Sequence, residues 1–170
     1  MTIRDFLLRV QALMEGRAIP LRGSPGPGGL GMKDKLPPER QDFHWRLRWS
    51  LLQLFFQDTR IHYEVWPQRQ RGIIEVGLHF EGPREVNRRW AEALARRAPA
   101  IVAALGPQVE LEEWTPSWYR LHETIPLGSL DEEQAQVVAQ RLAAMIAALQ
   151  PILEEERLAP ESQTGDATRP

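Results

Sequence analysis

The sequence predicts an α+β domain of two layers, in which two hairpins form a four-stranded antiparallel sheet and helices pack on one of its faces. Three observations lead there. Apolar spacing switches from a period near 3.6 to a period of 2 in two places, around residues 61–80 and 109–125. Each period-2 block consists of two short runs divided by turn-forming residues, the pattern of a hairpin. Each block is followed by a helical stretch, and short connections place consecutive strands side by side and antiparallel.

Residues 1–15 read as an N-terminal helix. Phe6, Val10 and Leu13 share a stripe, Ile3 and Leu7 lie beside it, and Gly16 is a stop. Residues 16–37 read as a flexible linker rich in glycine and proline, including Gly23-Ser24-Pro25-Gly26-Pro27-Gly28-Gly29-Leu30-Gly31. It is no phosphate loop, because it lacks the Gly-Lys-Ser/Thr ending and its prolines remove backbone donors. The α+β domain is expected over residues 38–158. It opens with a helix over 38–58, begun by Pro38 and Glu39, in which Trp45, Trp49, Leu52 and Phe56 recur at helical spacing as core residues.

The first hairpin pairs Arg60–Trp66 with Gly72–Phe80. Helical spacing then runs from Arg84 to Leu105, with a kink or restart at Pro99, and Gly106-Pro107 ends it. Residues 108–114 and 117–125 form the second hairpin around Thr115-Pro116. Ser129 and Glu132 match a capping box ahead of the last helix, whose stripe is Val138, Leu142, Met145, Leu149 and Ile152, with Pro151 as a kink or stop. Residues 159–170 read as a disordered tail.

Composition narrows the function classes. The chain has 170 residues, 42% of them hydrophobic, and a formal net charge of -2. That charge gives no global attraction to nucleic acid or anionic lipid. No cysteine is present, which removes disulfides, thiolate metal sites and cysteine nucleophiles. The N-terminus lacks the apolar core of a signal peptide, and no apolar run approaches the roughly 18 residues of a membrane span, so the expected location is the cytoplasm with no membrane partner.

Period 2 sorts the strand residues onto two faces. Ile61, Tyr63, Val65, Ile74, Val76, Leu78, Phe80, Val109, Leu111, Tyr119, Leu121 and Ile125 form the apolar face. The polar face carries His62, Glu64, Trp66, Glu75, Gly77, His79, Glu110, Glu112, Trp114, Trp118, Arg120 and His122. Three chemistries are open to these residues. Trp66, Trp114, Trp118, Arg120 and His122 offer a recognition surface for a protein partner or a second copy, with a homodimer as one form. His62, Glu64, Glu75 and His79 offer nitrogen and oxygen ligands to a divalent metal across the hairpin. On the helix that follows, Arg84, Arg88, Arg89, Arg96 and Arg97 offer phosphate contacts to nucleic acid, although Glu85 and Glu92 interleave with them.

The layout Gly72–Phe80, a helix, Leu105-Gly106, the run Glu110-Leu111-Glu112-Glu113-Trp114, then Trp118-Tyr119-Arg120-Leu121 and a final amphipathic helix resembles an uncharacterised bacterial domain. That domain stands at the C-terminal end of proteins similar to restriction-type nucleases, and the resemblance covers about residues 60–157. It implies an accessory module of DNA-processing or defence systems and supplies no catalytic residues. A nuclease core of that type needs an Asp and a Glu-x-Lys on neighbouring strands. The two lysines, Lys33 and Lys35, lie in the glycine-rich segment instead. The sequence therefore reads as a non-catalytic binding or protein-interaction module with no cofactor. The alternative is a metal-dependent hydrolase or nuclease built on the His/Glu cluster.

Overall fold

The computed structural model describes residues 1–16 and 43–158. The expected linker past Gly16, the expected tail, and Pro38 and Glu39 lie outside the described residues. The elements in chain order are α1 (Ile3–Glu15), β1 (His44–Arg48), β2 (Leu51–Phe55), β3 (Ile61–Gln68), β4 (Ile73–Phe80), α2 (Arg84–Arg96), α3 (Ala98–Leu105), β5 (Glu110–Glu113), β6 (Tyr119–Pro126) and α4 (Glu132–Leu158). The fold is α+β. Among the described residues the sheet has six strands in the order β1-β2-β3-β4-β6-β5, rather than the four expected, and every neighbouring pair is antiparallel.

The two additional strands replace the helix expected over 38–58. Residues 44–55 form a hairpin in which Arg48 pairs with Leu51, so Trp49 and Ser50 alone make the turn. Two-residue turns that match strand twist need a positive φ, a role usually given to Gly or Asn. Here Trp49 takes it at φ 47. Trp49 is therefore not a core residue: it is 95% exposed at the hairpin tip. Trp45, on the opposite side of the strand from Arg46, is partly buried and packs against the core as expected.

At the β3–β4 connection a 3-10 turn over Arg69–Arg71 ends on Gly72 at φ 64, a conformation that a side chain resists. The helix after β4 breaks at Arg97 and restarts with Pro99 in its first turn, where a missing N–H leaves no bond unmade. In front of α4, the Asp131 carboxylate accepts the Gln134 N–H at 3.0 Å, so Asp131 serves as the cap in place of Ser129. Pro151 neither stops nor shortens α4, which continues to Leu158.

The apolar residues of the sheet meet the helices on one side. Leu52, Leu54, Tyr63, Val65, Ile74, Val76, Leu78, Phe80 and Leu121 join Phe6, Leu7 and Val10 of α1, Trp90 and Leu94 of α2, and a long stripe of α4. Phe80 and Trp90 stack with their planes within 2°. By length and composition α4 is apolar enough to cross a membrane, yet Val138, Leu142, Met145, Ile146, Leu149 and Leu153 are buried in this core.

Among the described strand residues, one buried charge sits on the core side. Glu123 of β6 lies opposite Val76 and is almost completely buried. Arg141 of α4 grips it with two hydrogen bonds of 2.6 Å, and Gln108 adds a third at 3.1 Å. Arg141 and Gln108 also donate to the Leu105 carbonyl at the end of α3, each at 2.7 Å. One carboxylate thus ties β6, α4 and the α3 terminus together. Replacing it leaves a half-buried guanidinium without a counter-charge. Glu123→Ala is expected to lower unfolding free energy by about 3 kcal/mol, the lower end for breaking a buried pair because Arg141 keeps some contact with water. Glu123→Gln should lose less, and urea denaturation of the two variants measures the difference.

Candidate binding site on the polar face of the sheet

Register places the polar residues in rows across the strands. His62 lies opposite His79, His79 opposite Arg120, and Arg120 opposite Glu112. The next row is Arg46, Gln53, Glu64, Gly77, His122 and Glu110. A third contains Trp66, Glu75 and Thr124. Within these strands the two faces follow the alternation read from the sequence.

Gly77 draws the rows together. An added Cβ there would lie 2.8 Å from the His122 Cβ, 3.2 Å from the Leu121 carbonyl oxygen and 3.3 Å from His79 Nε2. With no side chain at this position, groups above and below can lean into the gap. Glu75, His62, His79, Glu64 and His122 are all buried there, the first at 1% exposure.

The cluster is held by directed contacts. Arg120 donates from Nη1 to both Glu75 oxygens at 2.8 and 2.9 Å, and from Nε to Glu112 at 2.7 Å. Gln68 donates to Glu75 at 3.0 Å. Gln53 donates to Glu64 at 3.0 Å, with its amide nitrogen also 3.0 Å from His62 Nε2. His62 Nδ1 lies 3.0 Å from the Thr59 carbonyl, which fixes the proton on Nδ1. The His62 and His79 rings stack 5.6 Å apart, 14° from parallel.

Burial acts to raise the Glu64 carboxyl, but His62, His79 and Gln53 outweigh it and hold the group below its ordinary value. Glu75 behaves alike: burial is opposed by His79, Arg120 and His122, and the net direction is downward. Glu112 is lowered first by its hydrogen bond from Arg120. Both buried carboxylates are thus ionised at neutral pH. Two imidazoles lie near carboxylates, His79 at 3.3 Å from Glu75 and His122 at 3.1 Å from Glu112, without an aligned hydrogen bond. Neither ring nitrogen of His79 or of His122 has a hydrogen-bond partner, although all four atoms are buried.

The expected recognition residues divide into two groups. Trp114 and Trp118 lie at the β5–β6 turn with ring centres 5.8 Å apart. Trp114 meets the edge of His79 and lies under the Arg120 guanidinium, closing one side of the cluster. His122 is beneath, 3.1 Å from Glu112. Trp66 stands at the other end of β3, half-buried, so it is not contiguous with the pair. The expected metal ligands form two close pairs, His62 Nε2 with Glu64 at 3.5 Å and His79 Nε2 with Glu75 at 3.3 Å, and of the four only the two histidines belong to a group able to converge on one ion. Sequence reasoning missed Glu81, which lies 3.9 Å from both histidines. The signal was present, because Glu81 continues the alternation two residues past His79. It also missed Gln53, concealed in the segment read as helical.

The five arginines expected to meet phosphate are all exposed and all face carboxylates. Arg84 is 3.7 Å from Glu113, and Arg88 is 2.7 Å from Glu85. Arg89 and Arg96 share Glu156 at 3.5 and 2.9 Å, and Arg97 meets Glu155 at 2.8 Å. A phosphate reaching this surface competes with glutamates already in place. Comparison with protein-family models, curated proteins and solved structures returns no match for this chain.

Two outcomes follow from this geometry. Gly77→Val should lower stability by about 1–3 kcal/mol in urea denaturation, because the new methyls meet backbone as well as a side chain. His122 is pushed below its ordinary value of 6.5 by burial first and then by Arg120, against Glu75, Glu112 and Glu110, which pull upward. A folded-state value below the unfolded one means the stabilisation is complete above about 6.5 and is lost as pH falls through the lower value. The urea midpoint should decline across that window in the parent chain and decline less in His122→Gln.

Proposed function

We propose that this protein is a non-catalytic interaction module working through the polar face of its sheet, accessory to DNA-processing or defence machinery. The observation that carries this reading is the asymmetry of the sheet. One face is packed under four helices, while no described helix lies over the other, on which Trp66, Trp114, Trp118 and Arg120 stand half-buried. Tryptophan and arginine supply a disproportionate share of binding energy at protein interfaces, tryptophan because it covers a large area with two torsions to freeze and arginine because its planar guanidinium stacks and donates several hydrogen bonds at once. The sheet holds such groups at fixed spacing. The accessory role rests on the layout shared with the bacterial domain described above.

Hydrolysis at this face is the weaker reading. Glu75 is engaged by Arg120 and Gln68, and Glu64 by Gln53, so neither buried carboxylate is placed to take a proton from water. The partner favoured by a self-contained surface is a second copy. Size-exclusion chromatography with light scattering should show a homodimer at micromolar concentration that Trp118→Ala dissociates. Acrylamide should quench the face tryptophans in the monomeric variant more than in the dimer. A strict monomer whose tryptophans are all shielded from quencher would overturn the proposal.

A further inference from the structure

We infer that His62, His79 and Glu81 form a binding site for one divalent transition metal of the zinc type. One ligand atom from each lies within 4.8 Å of the other two. The glutamate oxygen is 3.9 Å from His62 Nε2 and 3.9 Å from His79 Nδ1. A tetrahedral centre with bonds of about 2.0–2.1 Å separates its ligands by about 3.4 Å. Small side-chain rotations cover the difference.

The outer nitrogens strengthen the argument. A histidine that binds metal through one nitrogen typically donates from the other to a carbonyl or a carboxylate, which sets the tautomer and aims the ring. His62 does this already: Nδ1 bonds the Thr59 carbonyl, leaving Nε2 as the ligand nitrogen, 3.9 Å from Glu81, where an ion would displace the Gln53 amide now 3.0 Å away. His79 is arranged in mirror fashion. Its Nε2 faces Glu75 at 3.3 Å, out of hydrogen-bond alignment, and Glu75 is itself fixed by Arg120 and Gln68. Its Nδ1 faces Glu81.

His79 is also the unexplained group of the cluster. It is 2% exposed, and neither nitrogen has a hydrogen-bond partner. A buried polar group without a partner is unfavourable. A histidine placed only to fill the sheet face would have been satisfied by its neighbours. A cation between the two rings would satisfy it and align its Nε2–H with Glu75. It would also offset the carboxylates of Glu64, Glu75 and Glu81, which Arg120 alone does not balance. Two imidazoles with one carboxylate select zinc and its neighbours over calcium and magnesium, which prefer all-oxygen shells. Glu81 is the outermost ligand, with 27% of its side chain exposed, and gives the ion its entry.

The test is titration of the chelator-stripped full chain with Zn2+ against a chromogenic competitor, with Co2+ absorption as a second readout of nitrogen–oxygen coordination. One equivalent should bind at micromolar level or tighter, undisturbed by excess Mg2+. Glu81→Gln should weaken it by at least the roughly 10–100-fold seen when an outer partner is lost, and His79→Gln should abolish it. His44→Gln, at an exposed position on β1, should bind as the parent does. Circular dichroism checks each fold, and if His79→Gln is unfolded, Glu81→Gln decides. No uptake tighter than about millimolar, or uptake unchanged by Glu81→Gln, or uptake lost in His44→Gln, would overturn the assignment.

Discussion

The strict two-sidedness of β3, β4 and β6 is the constraint on which the rest of this structure depends. Side chains on a strand alternate, so a slip of β3 by one residue against β4 would turn His62 and Glu64 into the layer filled by α1 and α4. Tyr63 and Val65 would leave that layer at the same moment. The cluster on the polar side and the core on the other therefore share one register, and neither can be altered alone. Gly77 belongs to the same constraint, because the close approach of β4 and β6 at that point exists only while no side chain stands there.

The legibility of the sequence followed this physics. In β3, β4 and β6 the alternation is nearly unbroken, and it places the polar residues on the face they occupy in the structure. The helix expected over 38–58 has an identifiable source in the sequence. Leu51-Leu52 and Phe55-Phe56 are apolar doublets, and with Trp45 and Trp49 they reproduce helical spacing. The competing signal was the alternation Phe43, Trp45, Leu47 against His44, Arg46, Arg48, which predicts a strand. The turn that should have separated two strands carries Trp49 where a glycine or asparagine is expected, so no punctuation marked it.

Side-chain partnership was the less legible layer. Alternation assigned faces, but it could not say that Arg120 would bridge Glu75 and Glu112, or that His79 would be left without a bond. Those facts depend on strand neighbours, and β4 pairs with β6 in place of β5, its nearer candidate in the chain. Glu123 shows the same limit from the other side. A lone acid between Leu121 and Ile125 reads as an ordinary strand position until α4 brings Arg141 against it.

The position of α1 bears on how the molecule is made. Its buried residues pack chiefly on α4, Arg9 pairs with Glu132 at 2.6 Å, and the N-terminal ammonium donates to the Leu130 carbonyl. α1 thus rests on an element that is synthesised more than a hundred residues after it. At roughly 5–20 residues per second, α1 waits several seconds for its partner. Through that interval Phe6, Leu7, Val10 and Met14 have no α4 to cover them, and the sheet can pair but its helical side stays open. Biogenesis of this fold should accordingly be a late, concerted closing of α1 onto α4, with chaperone demand concentrated before α4 emerges.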